Sequence, residues 1–231
     1  MKFLGKFTLV KLAVASVVGA GLAAAFIVHA MTGTETYPQT ASGYGVIANA
    51  VPPATTSPVE VIDYFFYDCP HCNDFNRPLE AWVAHEGGRI RVRRVPVGNA
   101  PVLMRHQRLY YALDQLGQAE RLHDTIYSAI HQQGQSLETD DQIVQWVSAH
   151  GVDAAAFKRA YASNEVTAKV AAGQAELARA NIGTVPSVVI GGEWVVSPTT
   201  AGGLTQAVNV MSGRVDATIA GEKPTAVAKA E

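Results

Sequence analysis

Cysteine is almost absent: the 231 residues contain two, Cys69 and Cys72. A closed zinc site needs four ligands, and no second Cys-x-x-Cys accompanies this pair, so no metal is assigned. The remaining histidines (His29, His85, His106, His123, His131, His150) are scattered and read as surface or helix residues. The chain has no Gly-rich phosphate loop, no basic stripe and no internal repeat, so neither a nucleotide nor any other cofactor is implied. With 18 basic and 20 acidic residues the formal charge is −2, which argues against nucleic-acid binding.

Charge is also missing from residues 12–28, "LAVASVVGAGLAAAFIV". This run follows Lys2, Lys6 and Lys11 and ends in the small-residue stretch Val28-His29-Ala30, the pattern of a secretory signal peptide. At seventeen residues it nearly reaches the length of a spanning helix, so residues 1–30 read as a signal peptide or an N-terminal membrane anchor. Either places the rest outside the cytoplasm, because the lysines stay inside. Without residues 1–30 the balance is 15 basic to 20 acidic, net −5.

Residues 31–58, rich in Thr, Gly, Ala and Pro, read as a linker with one short edge strand near 44–48. The β-branched and aromatic run 59–67, "VEVIDYFFY", has the pattern of a strand buried on both faces. A helix follows from Pro70, with Leu79, Trp82 and Val83 at helical spacing and a kink expected at Pro78. In "RIRVRRVPV" Ile90, Val92 and Arg94 share one face of a second strand.

Helical patterns then occupy 102–115, 119–132, 140–150, 153–161 and 164–181, with Asp140 and Asp153 as N-caps and Gly151 and Gly183 as stops. Their apolar stripes, such as Leu122, Ile126 and Ile130, read as core. "VPSVVIGGEWVV" gives a hairpin turning at Gly191-Gly192, a last helix spans 201–212, and 214–231 reads as a disordered tail. Strands at both ends with helices between them imply an α/β sheet interrupted by an all-α insertion.

In an oxidising compartment two cysteines suggest one disulfide, Cys69–Cys72. As a staple it fails, because a bridge across two residues restrains almost nothing in the unfolded chain. The alternative is thiol chemistry. The pair sits where a strand ends and a helix begins, which puts Cys69 at the N-cap, exposed and facing the positive end of the helix dipole. That position favours the thiolate, the reactive form. Cys72, one turn inside and better shielded, suits a resolving thiol. His71 adds a donor near the Cys69 sulfur, and Pro70 removes one N–H and stiffens the ring.

"FFYDCPHC" after a buried strand resembles the DsbA family of periplasmic thiol:disulfide interchange proteins, over about residues 44–213. The resemblance implies a thioredoxin fold interrupted by an inserted helical domain: 59–98 and 183–213 would form the thioredoxin part and 99–182 the insertion. "GTVPSVVI" would supply the family's cis-proline at Val185-Pro186, presenting backbone to an extended substrate peptide. Asp63 takes the position of the family's buried acid, with Arg94 as its partner on the next strand, to support proton transfer from Cys72. Asp68 departs from the family pattern, and its charge opposes a thiolate at Cys69.

The implied activity is a monomeric dithiol oxidase acting on reduced exported proteins, reoxidised by a DsbB-like, quinone-linked membrane partner. An isomerase or reductase of the same fold is the first alternative. However, 28 residues before Val59 cannot build a dimerisation domain, and valine rather than threonine precedes Pro186. A non-catalytic peptide-binding chaperone is the second.

Overall fold

The β-branched run after Pro58 becomes an interior strand of a five-stranded sheet in the computed structural model, which describes residues 43–48, 50 and 57–224. The expected signal peptide or anchor, residues 1–30, lies outside the described residues, as do most of the linker and residues 225–231. Among the described residues no helix is long and apolar enough to cross a membrane.

The strands β1 (Gly45–Val46), β2 (Val59–Phe65), β3 (Ile90–Pro96), β4 (Ser187–Ile190) and β5 (Trp194–Val196) are arranged β1-β5-β4-β2-β3. β2 and β3 are parallel and the other neighbours antiparallel. Their crossover is α1 (Pro70–Glu86), which runs unbroken through Pro78, followed by a short 3₁₀ turn. Five helices separate β3 from β4: α2 (Pro101–Gln115), α3 (Ala119–His131), α4 (Asp140–Ala149), α5 (Ala154–Tyr161) and α6 (Asn164–Arg179). After β5 come α7 (Pro198–Ala201) and α8 (Leu204–Ile219). Gly191 and Gly192 make the β4–β5 turn at positive φ, a conformation that favours glycine.

Alternation along β2 sorts its side chains. Val59 and Val61 join Phe75, Leu79 and Trp82 of α1 and Met211 and Val215 of α8. Ile62 and Tyr64 join Val95 and Ile182 on the other face, against Leu177 of α6. A third cluster fills the helical block and runs through Phe65 and Tyr67 up to the cysteines. The same alternation puts Asp63 and Arg94 on the α1 face.

Three local expectations are corrected. The residues from 214 do not begin a disordered tail, because α8 continues to Ile219 with Val215 and Ala217 buried under the sheet. Small residues there allow close packing that composition alone hides. The N-cap of α4 is Thr139, which forms a reciprocal capping box with Gln142 in place of a cap at Asp140. α6 stops at Arg179, where Asn181 takes the left-handed position expected of Gly183.

Candidate active site

β2 delivers the chain to the N-terminus of α1, and Cys69 is its N-cap, with φ −87° and ψ 115°. Pro70 fills the first helical position, where a missing N–H costs nothing. The Cys72 N–H donates to Cys69 Sγ at 3.2 Å, as a capping oxygen would accept. The two thiols thereby receive opposite environments. The Cys69 thiol is brought down to about 6, first by a hydrogen bond from the Cys72 thiol, then by the N–H groups of Cys72 and His71 and the charge of His71, against the effect of burial. Burial drives the Cys72 thiol well above its ordinary range, and the neighbouring Cys69 adds to the rise.

Cys69 is not exposed as expected. It is 5% accessible, against 3% for Cys72, because Val185 closes over it with its carbonyl 4.0 Å from the sulfur. Asp68 faces solvent. The Val185–Pro186 bond is cis, and both residues lie beside the pair. His71, Val185, Pro186, Pro198 and Leu204 line a groove of about 300 Å³ alongside.

Asp63 lies below, in a narrow cleft shared with Cys72, Phe75, Tyr127 and Pro186. Burial raises its carboxyl to about 7; Arg94 pulls it down, and Glu80 and Glu120 push it up. Arg94 is buried as expected and is the register partner of Asp63 on β3, but its guanidinium pairs with Glu80 of α1 and Glu120 of α3. The expected ion pair is therefore replaced, because the longer glutamates reach in from helices on both sides. Among the described residues no group of three or more His, Cys, Asp or Glu could hold a metal.

The sequence model of the DSBA-like thioredoxin domain matches residues 60–205. The chain belongs to that family. It is 34% identical to the thiol:disulfide interchange protein DsbA of Burkholderia cepacia over 63% of this chain and 68% of that protein. With the DsbA of Bordetella parapertussis it shares 29% over 78% of this chain and 86% of the relative. The crystal structure of oxidoreductase DsbA from Xylella fastidiosa superposes with a TM-score of 0.70 at 26% identity, covering 77% of this chain and 95% of that one. As a member of the DsbA-like family, with a thioredoxin-like fold carrying many helices, the chain is a thiol:disulfide oxidoreductase.

One helix of this DsbA-like protein carries site residues that the sequence does not disclose. α3 pairs Glu120 with Arg94, joins the Nδ1 of His123 to the Tyr67 hydroxyl at 2.9 Å and accepts from Asn76 on Asp124 at 2.6 Å. It also places Tyr127 in the cleft and donates from His131 Nε2 to the Tyr67 carbonyl at 2.7 Å. His106 and His123 are not surface residues; they are 1% and 2% accessible. The available signal was the spacing of His123, Tyr127 and His131, four residues apart on one face.

Proposed function

We propose that the chain is a dithiol oxidase that passes a Cys69–Cys72 disulfide to reduced exported proteins. The observation that carries this reading is the asymmetry of the pair: an acidic, helix-capping Cys69 above a buried, weakly acidic Cys72. A stabilised thiolate favours the reduced protein, so the disulfide is readily given away.

A client thiolate attacks Cys69 Sγ, the S–S bond breaks, and Cys72 leaves as a thiolate that takes a proton from Asp63. A second client thiolate then attacks the client sulfur and releases Cys69 as a thiolate. His71 stabilises that charge, Pro70 stiffens the ring, and Val185 and Pro186 offer backbone to the extended client. Arg94 tempers the charge at Asp63 and fixes the helices around it. The protein works as a monomer in the periplasm, sent there by residues 1–30 acting as a signal or an anchor. A DsbB-like, quinone-linked membrane protein reoxidises it.

Equilibration with glutathione buffers tests the oxidase reading. The pair should stay reduced in buffers oxidising enough to convert thioredoxin to its disulfide. Half-oxidation at thioredoxin's own potential would overturn the oxidase reading in favour of the reductase or isomerase alternative.

A further inference from the structure

Asp63 and Tyr127 are each 3% accessible and line the same cleft as Cys72. Polar groups held this deep are costly unless paired, and two lining one slot point to a pairing. The neighbouring amide is already engaged, since Asn76 donates to Asp124.

The groups facing Asp63 are Arg94 from β3, Tyr67 beyond the end of β2, Cys72 and Glu80 from α1, and Glu120 and Tyr127 from α3. Arg94 directs its fork to the two glutamates, and the Tyr127 hydroxyl is a neutral donor lining the cleft. The Tyr127 ring is fixed: it stands edge-on to Tyr67 at 5.1 Å and to His123 at 5.2 Å, and stacks on His131. The charge states of Cys72 and Asp63 both bear on its hydroxyl.

We propose that Tyr127 is a positioning residue for Asp63, its hydroxyl donating a hydrogen bond to the carboxylate while Asp63 exchanges a proton with Cys72. The inference rests on the thiol-exchange reading above. During oxidation by glutathione disulfide, Cys69 first holds glutathione in a mixed disulfide. Cys72 then attacks Cys69 Sγ, its proton passes to the Asp63 carboxylate, and glutathione leaves as a thiolate as the Cys69–Cys72 bond forms. Tyr127 keeps its own proton throughout and makes the carboxylate tolerable in a dry site.

The test is the pH dependence of glutathione release from that mixed disulfide, in the full chain and in Tyr127→Phe, where the ring still fills its space. Loss of the donor should move the midpoint up by about one unit and slow release at pH 6 up to roughly tenfold. The alkylation profile of Cys69 should stay unchanged, and in an Asp63→Asn background Tyr127→Phe should have no further effect. A superimposable release profile, or a shift that persists without Asp63, overturns the proposal. If the unaltered chain forms no mixed disulfide, the exchange reading fails, and this inference with it. Should Tyr127→Phe not fold, the infrared carboxyl band lost in Asp63→Asn decides. A hydrogen-bonded frequency in the unaltered protein supports the role, and a free-carboxyl frequency sinks it.

Discussion

Asp63 and Arg94 stand in register on adjacent parallel strands, yet no ion pair joins them. The arginine is spent on Glu80 and Glu120, and the acid is left with burial as its dominant influence. An acid held near neutrality can give and take a proton at working pH, which one clamped in an ion pair cannot.

That arrangement costs stability in a definite pH window. The carboxyl is raised from 3.8 to about 7 on folding, so the native state binds the extra proton between these values. The penalty is absent below pH 3.8, grows as pH rises and is complete above about 7. Asp63→Asn should therefore stabilise the reduced protein at pH 8 by at most about 4 kcal/mol and change little at pH 3.5. Urea denaturation at both values checks this; equal effects at the two would contradict it.

The Arg94 cluster should be lopsided in its response. Arg94 has a side chain 4% exposed, whereas Glu120 is 71% exposed. Glu120→Gln should cost under about 1 kcal/mol, as for a surface pair. Arg94→Ala removes a buried stem and both pairings and should cost about 3 kcal/mol. It should also push the Asp63 carboxyl further up, visible as a displaced pH profile for Cys72 reactivity. Similar losses for the two variants would mean that the cluster is not anchored on the arginine.

The elements were legible where one pattern dominated: the unbroken run of β2, the hairpin at Gly191-Gly192, and Pro70 opening a helix after the cysteine. The position of Asp63 was legible through the family resemblance, and that of Arg94 through period two in its strand, which puts it on the face of Ile90 and Val92. What escaped was every relationship across elements. Nothing local tells Arg94 to choose Glu80 and Glu120 over the acid opposite, since those partners arrive from helices 14 and 26 residues away. His123 and Tyr127 look like surface positions of an amphipathic helix until the sheet end packs against them.

The thiol pair predicts a stability difference between redox states. Folding lowers the Cys69 thiol from 9.0 to about 6, so reduced native protein gains stability as pH rises from 6 to 9 and loses that gain as pH falls through 6. The disulfide form has no such thiolate. The reduced protein should thus gain on the oxidised one by about 1 kcal/mol at pH 7 and by more at pH 8. Thermal melts of both forms at pH 5, 7 and 8 measure the gap. A gap that does not widen with pH would contradict the acidic Cys69.

The buried histidines act in the same direction as Cys69 and against Asp63. Burial lowers the affinity of His123 for a proton, and Arg94 lowers it further; burial likewise lowers that of His106, against the pull of the Ser136 and Leu137 carbonyls. Their native forms bind fewer protons than the unfolded chain, so they contribute nothing adverse above about pH 6.5 and destabilise as pH falls below it. In the unaltered protein Asp63 masks this, since its own penalty disappears over the same acid range. Asp63→Asn removes the mask. Its stability should fall continuously from pH 7 to pH 5, while the unaltered protein changes less over that interval. The mutant's slope should flatten when His123→Phe is added, a change that gives up the Tyr67 hydrogen bond but leaves nothing there to titrate. An unaltered slope in the double mutant would place the acid sensitivity outside the α3 face.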